Sequence, residues 1–594
     1  MKILLIQPPI QDFYRTSIRT QPIGLAYLAA SVRKKGHEVE ILDCQTEKKR
    51  SIPVPFEISY LRDFYPFDDR SPFKLYSGYY HFGMGWEEVG HRIRGSEADV
   101  FGISSSFTPY HGEALEIARI IKQWDRTKIV VMGGAHVSCD PESVLQSHFV
   151  DYVILGEGES RFPALLEQIG KGKVENIGKI DGIGYRRNGE IQINPSQTFI
   201  KDLDSFPHPA RELLDLDRYR MRKKRSTMII TSRGCPHGCA YCSAHLVMGA
   251  SFRARTPEAI VQEMAECNER YGIRMFDIED DNFTFDQGRA KRLMNLIIET
   301  FGQENIELSA MNGISFASLN GELLGLMKSA GFKTINLSYV SADVTTKERM
   351  GRPETKTEFD EILEEAERVG LSVIAYAIVG MPGQTIEEMV DTLMYLMGKK
   401  VLIGPSIYYP TPGTPLFKRC KRDGLLPPHP CQWRSSAFPI ETKEFSRVDL
   451  VTLFRLARLI NFIKGKMDEE ELEEGLTWEG LFQVLREKRG SKGKPEMRDE
   501  YDFGPYEPCL PARSVPAKAG TMRFASVCQP KDEATTWINL LLQLESERSF
   551  FSLGSDSAGG ISISKVESSR TVLDCFFEKA WQRIIRKSRS SVVS

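Results

Sequence analysis

The sequence predicts an α/β protein made of two successive strand-helix units and a C-terminal extension. Three observations carry this. Short apolar runs alternate with helix-period stretches over residues 1–175; the alternation resumes over 221–425 after a linker at 176–220; and beyond about Leu426 the pattern turns helical and then fades. Such alternation marks parallel sheets covered by helices. Residues 426–488, with "VDLVTLFRLARLINFIKG", read as a mostly helical extension, and 489–594 as a poorly ordered tail in which "INLLLQL" and "LDCFFEKAWQRII" are the helical candidates.

Bulk properties narrow the function. At 594 residues the chain exceeds one hydrophobic core. Its formal net charge of -2 points to no polyanion-binding surface, so a nucleic-acid partner is unsupported though not excluded. The start, "MKILLIQPP", has no signal-peptide core, and no apolar run reaches membrane-spanning length, so a cytoplasmic protein is expected. Eleven cysteines, thinly spread, read as reduced thiols with one local cluster.

In the first unit "KILLIQ", "EVEILD", "DVFGIS", "KIVVMG" and "DYVIL" read as five buried strands, with connecting helices from Ile23, Gly112, Pro141 and Arg161. A flavodoxin-like (Rossmann-like) sheet follows, with ligands at the carboxyl ends of its strands. There stand Gln7-Pro8-Pro9, Ser104-Ser105-Ser106, Gly133-Gly134-Ala135-His136 and Gly156-Glu157-Gly158-Glu159, small turns that let backbone approach a large flat ligand. Taken singly, each is equally a plain strand-to-helix turn. The aromatic insertion "YYHFGMGWEEVGHRI" is expected to pack locally, the alternative being a cover over a ligand edge. The linker holds a hairpin-like piece, "IGYRRNGEIQINP".

The second unit offers six strands, "TMIITS", "RMFDIED", "IELSAM", "KTINLSY", "SVIAYAIVG" and "IGPSIYY", separated by helices that glycines stop. Six parallel units make a partial (β/α)6 barrel with its chemistry on the loops after the strands. Directly after the first strand, "SRGCPHGCAYCSAH" places Cys235, Cys239 and Cys242 at four- and three-residue steps. Soft thiolates on one centre suit zinc or an iron-sulfur cluster. Structural zinc takes four ligands, for which His237 or His245 is available, but no second paired ligand set appears. On a four-iron cluster three thiolates leave one iron open for a small molecule.

"CPHGCAYC" after a strand of such a barrel resembles the radical S-adenosylmethionine (SAM) superfamily, with Tyr241 as its aromatic before the last cysteine. The first unit is similar to the cobalamin-binding domain of one large branch, in "PIGLAYLAASVRKKGHEVEILD", "GGAH" and "GEGE". Together the resemblances span roughly residues 1–425. They imply a [4Fe-4S] cluster on Cys235, Cys239 and Cys242, with SAM and cobalamin as further cofactors. Implied SAM contacts are Tyr241, Glu279, Asp280 and Asp281 in "DIEDDNF", Ser341, Arg352, and Pro382 and Gly383 in "VGMPGQT". The family's Glu-Ser-Gly-Ser is here Val340-Ser341-Ala342-Asp343, which puts the ribose contact in doubt. Corrinoid contacts fall to Ser104, Ser105, Gly133, Gly134, His136, Gly156 and Glu157. No histidine has an aspartate two positions earlier, so the Asp-x-His-x-x-Gly cobalt ligand is absent and His136 is expected to shape or hydrogen-bond. The implied activity is reductive SAM cleavage with methyl transfer to an unactivated carbon or phosphorus of a small molecule, served by a reducing partner such as flavodoxin or ferredoxin. Cyclisation or rearrangement without net methylation is the alternative, and a non-catalytic iron-sulfur protein the second. Methylthiotransferase relatives fit less well: Cys44 and Cys139 are too few for a second cluster, and the tail has no basic patch.

Overall fold

The computed structural model describes every residue except 15–19, 47, 67–68, 70–73, 77, 222–223, 469–548, 556–560 and 591–594. Its first sheet has seven strands in the order Glu190–Ile193, Ile183–Arg187, Tyr152–Ile154, Ile129–Gly133, Val100–Ser104, Lys2–Gln7 and Glu38–Asp43. The last five are parallel and coincide with the five predicted runs. Both faces are covered: Leu4 and Ile6 enter one core with Phe101 and Ile103, while Ile3 and Leu5 enter the other with Val100 and Val131. Two-sided burial explains why the inner strands read as continuous apolar runs, while the edge strand Glu38–Asp43 alternates apolar and charged residues.

The hairpin assigned to the linker belongs to this sheet. Ile183–Arg187 pairs antiparallel with Tyr152–Ile154, closing an edge that the parallel sheet would otherwise expose. The aromatic insertion forms a small antiparallel sheet, Tyr80–Phe82 between Ile10–Asp12 and Lys49–Ser51. Its neighbourhood packs locally, Phe13 meeting Tyr65 and Tyr79 at ring-centroid distances of 5.0 and 4.9 Å. It also receives the C-terminal part: the Tyr60 hydroxyl donates to Ala437 O at 2.9 Å, and Arg434 donates to Gln11 O and Pro109 O at 2.8 Å each.

The six predicted barrel strands are all present: Lys224–Ile229, Met275–Ile278, Glu307–Ser309, Thr334–Val340, Ser372–Val379 and Leu402–Ile407. They run parallel, the third and fourth touching only through the bridges Leu308–Phe332 and Ile314–Leu337. Local chemistry sets the intervening helices: capping boxes at Thr355/Glu358 and Thr385/Glu388 start two, and left-handed Gly272, Gly331 and Gly370 end three. Outward side chains Phe276, Leu337, Ala375 and Ala377 are fully buried under these helices. Inward Met228, Glu279, Ser338, Tyr376 and Ser406 keep partial exposure. The lumen is therefore open where a complete (β/α)8 barrel is filled.

Helix Arg447–Asp468 packs across the last strand, Asn461 bonding both the N–H (2.8 Å) and the C=O (2.7 Å) of Ile403. The tail differs from its expected weak order over part of its length. A hairpin, Phe550–Ser555 with Ile561–Val566, leads into helix Arg570–Ser590. Val572, Leu573, Phe576 and Phe577 make an apolar stripe at helical spacing, buried in the barrel's core cluster. The "INLLLQL" segment lies outside the described residues. Among the described residues no helix is long and apolar enough to cross a membrane.

Candidate functional site: a thiol loop and a buried histidine pair

The cysteine loop begins at Gly234, whose φ of +78° and close approach admit no side chain; an added Cβ would lie 2.4 Å from Ser251 O. The loop is pinned on both flanks, Ala240 N donating to Met350 O at 3.2 Å and Ala240 O accepting from Leu416 N at 2.9 Å. Cys239 is buried, Cys235 and Cys242 half-buried. Burial pushes the Cys235 thiol up and the Cys242 thiol up to about 11, each reinforced by the neighbouring cysteines. Such thiols release their protons on meeting an electropositive centre. Asn282, 4 % exposed, lies against the Cys235 thiol, and its buried amide has no other partner among the described residues. Among those residues no three His, Cys, Asp or Glu converge on a single-ion point. Clustered thiols beside a buried amide fit an iron-sulfur cluster, whose ligands bind separate irons.

The remaining predicted SAM contacts divide sharply. Asp281 is exposed at the loop's lip and accepts from Gly234 N at 3.2 Å. Asp280 is buried and used up by Thr231 N (2.7 Å) and Ser232 Oγ (2.6 Å), so it buttresses the first strand and does not face a ligand. Glu279 turns into the lumen, where Asn312 Nδ2 donates to it at 2.8 Å. Arg352 is 7 % exposed, 2.9 Å from Glu354 and against Cys239 and the half-buried Tyr241. Ser341 has no exposed surface; its hydroxyl accepts from Asp343 N at 3.1 Å, which corrects its reading as a ribose contact. Val340, before it, takes a left-handed φ of +66°, unusual for a β-branched residue. Pro382 is buried, and Gly383 at φ +85° has its carbonyl held by Arg349 at 3.1 Å.

On the other side, the loops after the first sheet bring a histidine pair together. The His111 and His136 rings lie against each other, centroids 4.2 Å apart and planes tilted by 45°. Ser105 Oγ engages His111 Nδ1 and Thr108 Oγ1 engages His136 Nδ1, both at 3.1 Å. Both Nε2 atoms are buried and unpartnered among the described residues. Burial lowers His111 to about 3 and His136 to about 4, so both rings are neutral at pH 7. Beside them Gly134 crosses Ser105 so closely that a Cβ would lie 2.6 Å from its carbonyl oxygen. Ser104 and Gly133 pair at the neighbouring strand ends, and left-handed Gly156 donates to Ser138 Oγ at 2.8 Å. Orphaned imidazole nitrogens and side-chain-free crossings fit a large planar ligand carrying polar groups.

Glu157 stands apart from its expected role. It is 2 % exposed and holds Arg233 and Arg253, each at 2.9 Å, so it joins the two units and does not line a ligand. His111, Arg233 and Arg253 carry no motif of their own and the sequence reading missed them; their places beside "SSS", "GCPHGC" and the loop's return are the one signal the chain offers.

The family model for the radical SAM superfamily matches residues 229–396, and that for the B12 binding domain matches 78–166. An uncharacterized methyltransferase of Pyrococcus horikoshii is 28 % identical over 79 % of this chain and 94 % of its own. Cytidylyl-2-hydroxyethylphosphonate methyltransferase of Streptomyces wedmorensis is 26 % identical over 73 % and 84 %. The anaerobic magnesium-protoporphyrin IX monomethyl ester cyclase of Synechocystis is 23 % identical over 61 % and 65 %. In fold, the chain is similar to the methyltransferase TsrM of Kitasatospora setae, solved with cobalamin and a [4Fe-4S] cluster (TM-score 0.54, 18 % identity, 71 % of this chain and 75 % of that). It is similar also to the cobalamin-dependent radical enzyme OxsB, solved with aqua-cobalamin and SAM (TM-score 0.60, 13 % identity, 99 % and 80 %). The chain thus carries a segment matching the B12 binding domain, followed along the sequence by one matching the radical SAM superfamily.

Proposed function

We propose that this enzyme moves a methyl group from SAM to an unactivated carbon or phosphorus of a small molecule. The observation that carries the reading is that Arg233 and Glu157 tie the thiol loop to the strand-end side of the first sheet, whose neighbouring loops carry the buried histidine pair; the relatives named as methyltransferases support it. When bound, the cluster would supply the one-electron reduction for SAM cleavage and the corrinoid would supply the methyl-carrying chemistry. Cys235, Cys239 and Cys242 hold the cluster. Asp281, exposed beside it, takes the SAM ammonium by a charge-assisted hydrogen bond. Tyr241 and Arg352 wall the SAM site, and the Pro382-Gly383 turn brings backbone to the adenine. Ser104, Gly133, Gly134 and Gly156 leave room for the corrinoid face, and His111 and His136 offer it their free nitrogens. A reducing protein such as flavodoxin or ferredoxin feeds the cluster in the cytoplasm.

The test is anaerobic turnover of reconstituted protein with methyl-labelled SAM and an extract of small metabolites. Deoxyadenosine should form and label should enter an acceptor. Deoxyadenosine without label transfer replaces this reading by cyclisation or rearrangement, the chemistry named for the cyclase relative. No SAM cleavage under reductant leaves a non-catalytic iron-sulfur protein.

A further inference from the structure

The open lumen carries a polar group that neither the cluster nor the corrinoid uses. Asp277 and Glu279 share the inward face of the second barrel strand and its end, since strand side chains alternate with a period of two and Phe276 and Ile278 lie in the core under the helices. Ser309 Oγ donates to Asp277 at 2.6 Å and Asn312 Nδ2 to Glu279 at 2.8 Å. The two carboxyls also contact each other; burial and that contact raise Glu279 to about 8 and burial raises Asp277, so near neutrality the pair holds one proton between them. Among the described residues no lysine, arginine or histidine ion-pairs with either. A second, independent observation lies beside them. Asn336, 4 % exposed, stands on the inward face of the fourth strand with Ser338; its Nδ2 reaches Ala310 O at 3.3 Å, next to Ser309, and its Oδ1 has no partner among the described residues. The wall therefore presents a shared-proton acid pair and an idle carbonyl, an acceptor-rich surface that protein donors leave incompletely met. A buried acceptor without a donor is costly.

We propose that Asp277, Glu279 and Asn336 form an amine-binding site in the barrel lumen, where the substrate's amino group donates to all three. This rests on the proposed function, in which the lumen holds the substrate, and it restricts that substrate to small molecules carrying an amine. It also separates Glu279 from Asp281, the carboxylate at the thiol loop.

Three phenyl probes of matched size test it on the reconstituted full-length protein by ligand-observed NMR: 2-phenylethylamine, 2-phenylethanol and 3-phenylpropanoate. The amine should bind at least about tenfold tighter than the carboxylate, the scale of one charge-assisted hydrogen bond. In E279Q, half-exposed and so the gentler change, and in D277N/E279Q, that preference should shrink to about twofold or less. Equal binding of amine and carboxylate, or a preference surviving in both variants, overturns the proposal. So does a matching loss of SAM affinity in E279Q, which would make Glu279 part of the SAM site. Deoxyadenosine formation by the unaltered protein is scored separately: its absence would defeat the proposed function, while the probe preferences alone decide the lumen site.

Discussion

Arg233 Nη1 lies 2.9 Å from Glu157 Oε1, and Arg233 immediately precedes the Gly234 and Cys235 that open the thiol loop. Its other nitrogen, Nη2, lies 2.5 Å from Glu159, and every partner is at most 9 % exposed. Burial opposes the Arg233 charge, but Glu159 and Glu157 outweigh it and hold the guanidinium firmly protonated. Removing one partner of such a network strands the others, at a cost of about 3–5 kcal/mol. R233M should therefore lose that much stability in denaturant unfolding, and R233K, which keeps the charge but loses the fork, less. A midpoint unchanged in R233M would show that the two units do not depend on this contact.

Much of this arrangement was legible in the chain because it is written in short-range pattern. Strands buried on both faces appear as unbroken apolar runs, and "CPHGCAYC" fixes three thiols within eight positions. What stayed hidden depends on contacts far apart in sequence. Asp280 and Asp281 are neighbours with opposite environments, one enclosed by Thr231 and Ser232 and the other on the surface; the sequence alone does not distinguish them. Glu157 sat in a ligand-like "GEGE" turn, yet its partners Arg233 and Arg253 lie 76 and 96 residues away. The hairpin at 183–193 reads as a linker until the free edge it closes is known.

The thiol loop predicts a simple loss. C239A removes the buried member of the trio and should abolish the broad visible absorbance of a reconstituted cluster together with deoxyadenosine formation. C44A, buried in the first unit's core, should leave both within about twofold, since it lies outside the loop. Persistent SAM cleavage in C239A would refute the ligand assignment.

His136 has a buried neutral nitrogen with no partner among the described residues, which the proposed function assigns to the corrinoid. H136F keeps much of the ring packing on His111 and deletes that nitrogen, so cobalamin retention after gel filtration should fall by about tenfold, the value of one or two kcal/mol of hydrogen bonding. The cluster absorbance, which depends on a different loop, is the internal control. Unaltered cobalamin retention would remove His136 from the site.

The C-terminal helix makes its own prediction. Phe576 is 1 % exposed in the core cluster, and Lys579 reaches Asp391 at 2.6 Å on helix Ile386–Met397, while Ser569 N donates to Thr452 on helix Arg447–Asp468 at 2.9 Å. Truncating such a phenylalanine costs about 3–5 kcal/mol where the site cannot collapse. F576A should thus destabilise the barrel markedly in denaturant unfolding, and removal of 549–594 should expose the apolar barrel surface that the stripe covers and promote association. A F576A protein as stable as its parent would mean that this helix does not dock.

At the closed end of the barrel Glu307 gives a pH signature. It is buried, and although burial alone would raise its carboxyl, Lys224 at 2.6 Å and Lys333 at 3.1 Å outweigh it and bring it down to about 2. A carboxyl held below its ordinary value contributes stability that is complete above the unfolded value of about 4.5 and disappears as pH falls toward about 2. The undiscounted shift corresponds to about 3 kcal/mol, but both lysine heads are half exposed, so roughly 1–2 kcal/mol is the expected contribution. E307Q should consequently melt below the parent at pH 7, and the gap between the two should narrow steadily between about pH 5 and about pH 2 as the parent's carboxyl takes up its proton. A gap that stayed constant across this window would mean that the variant's loss comes from packing, with no share from the two lysines.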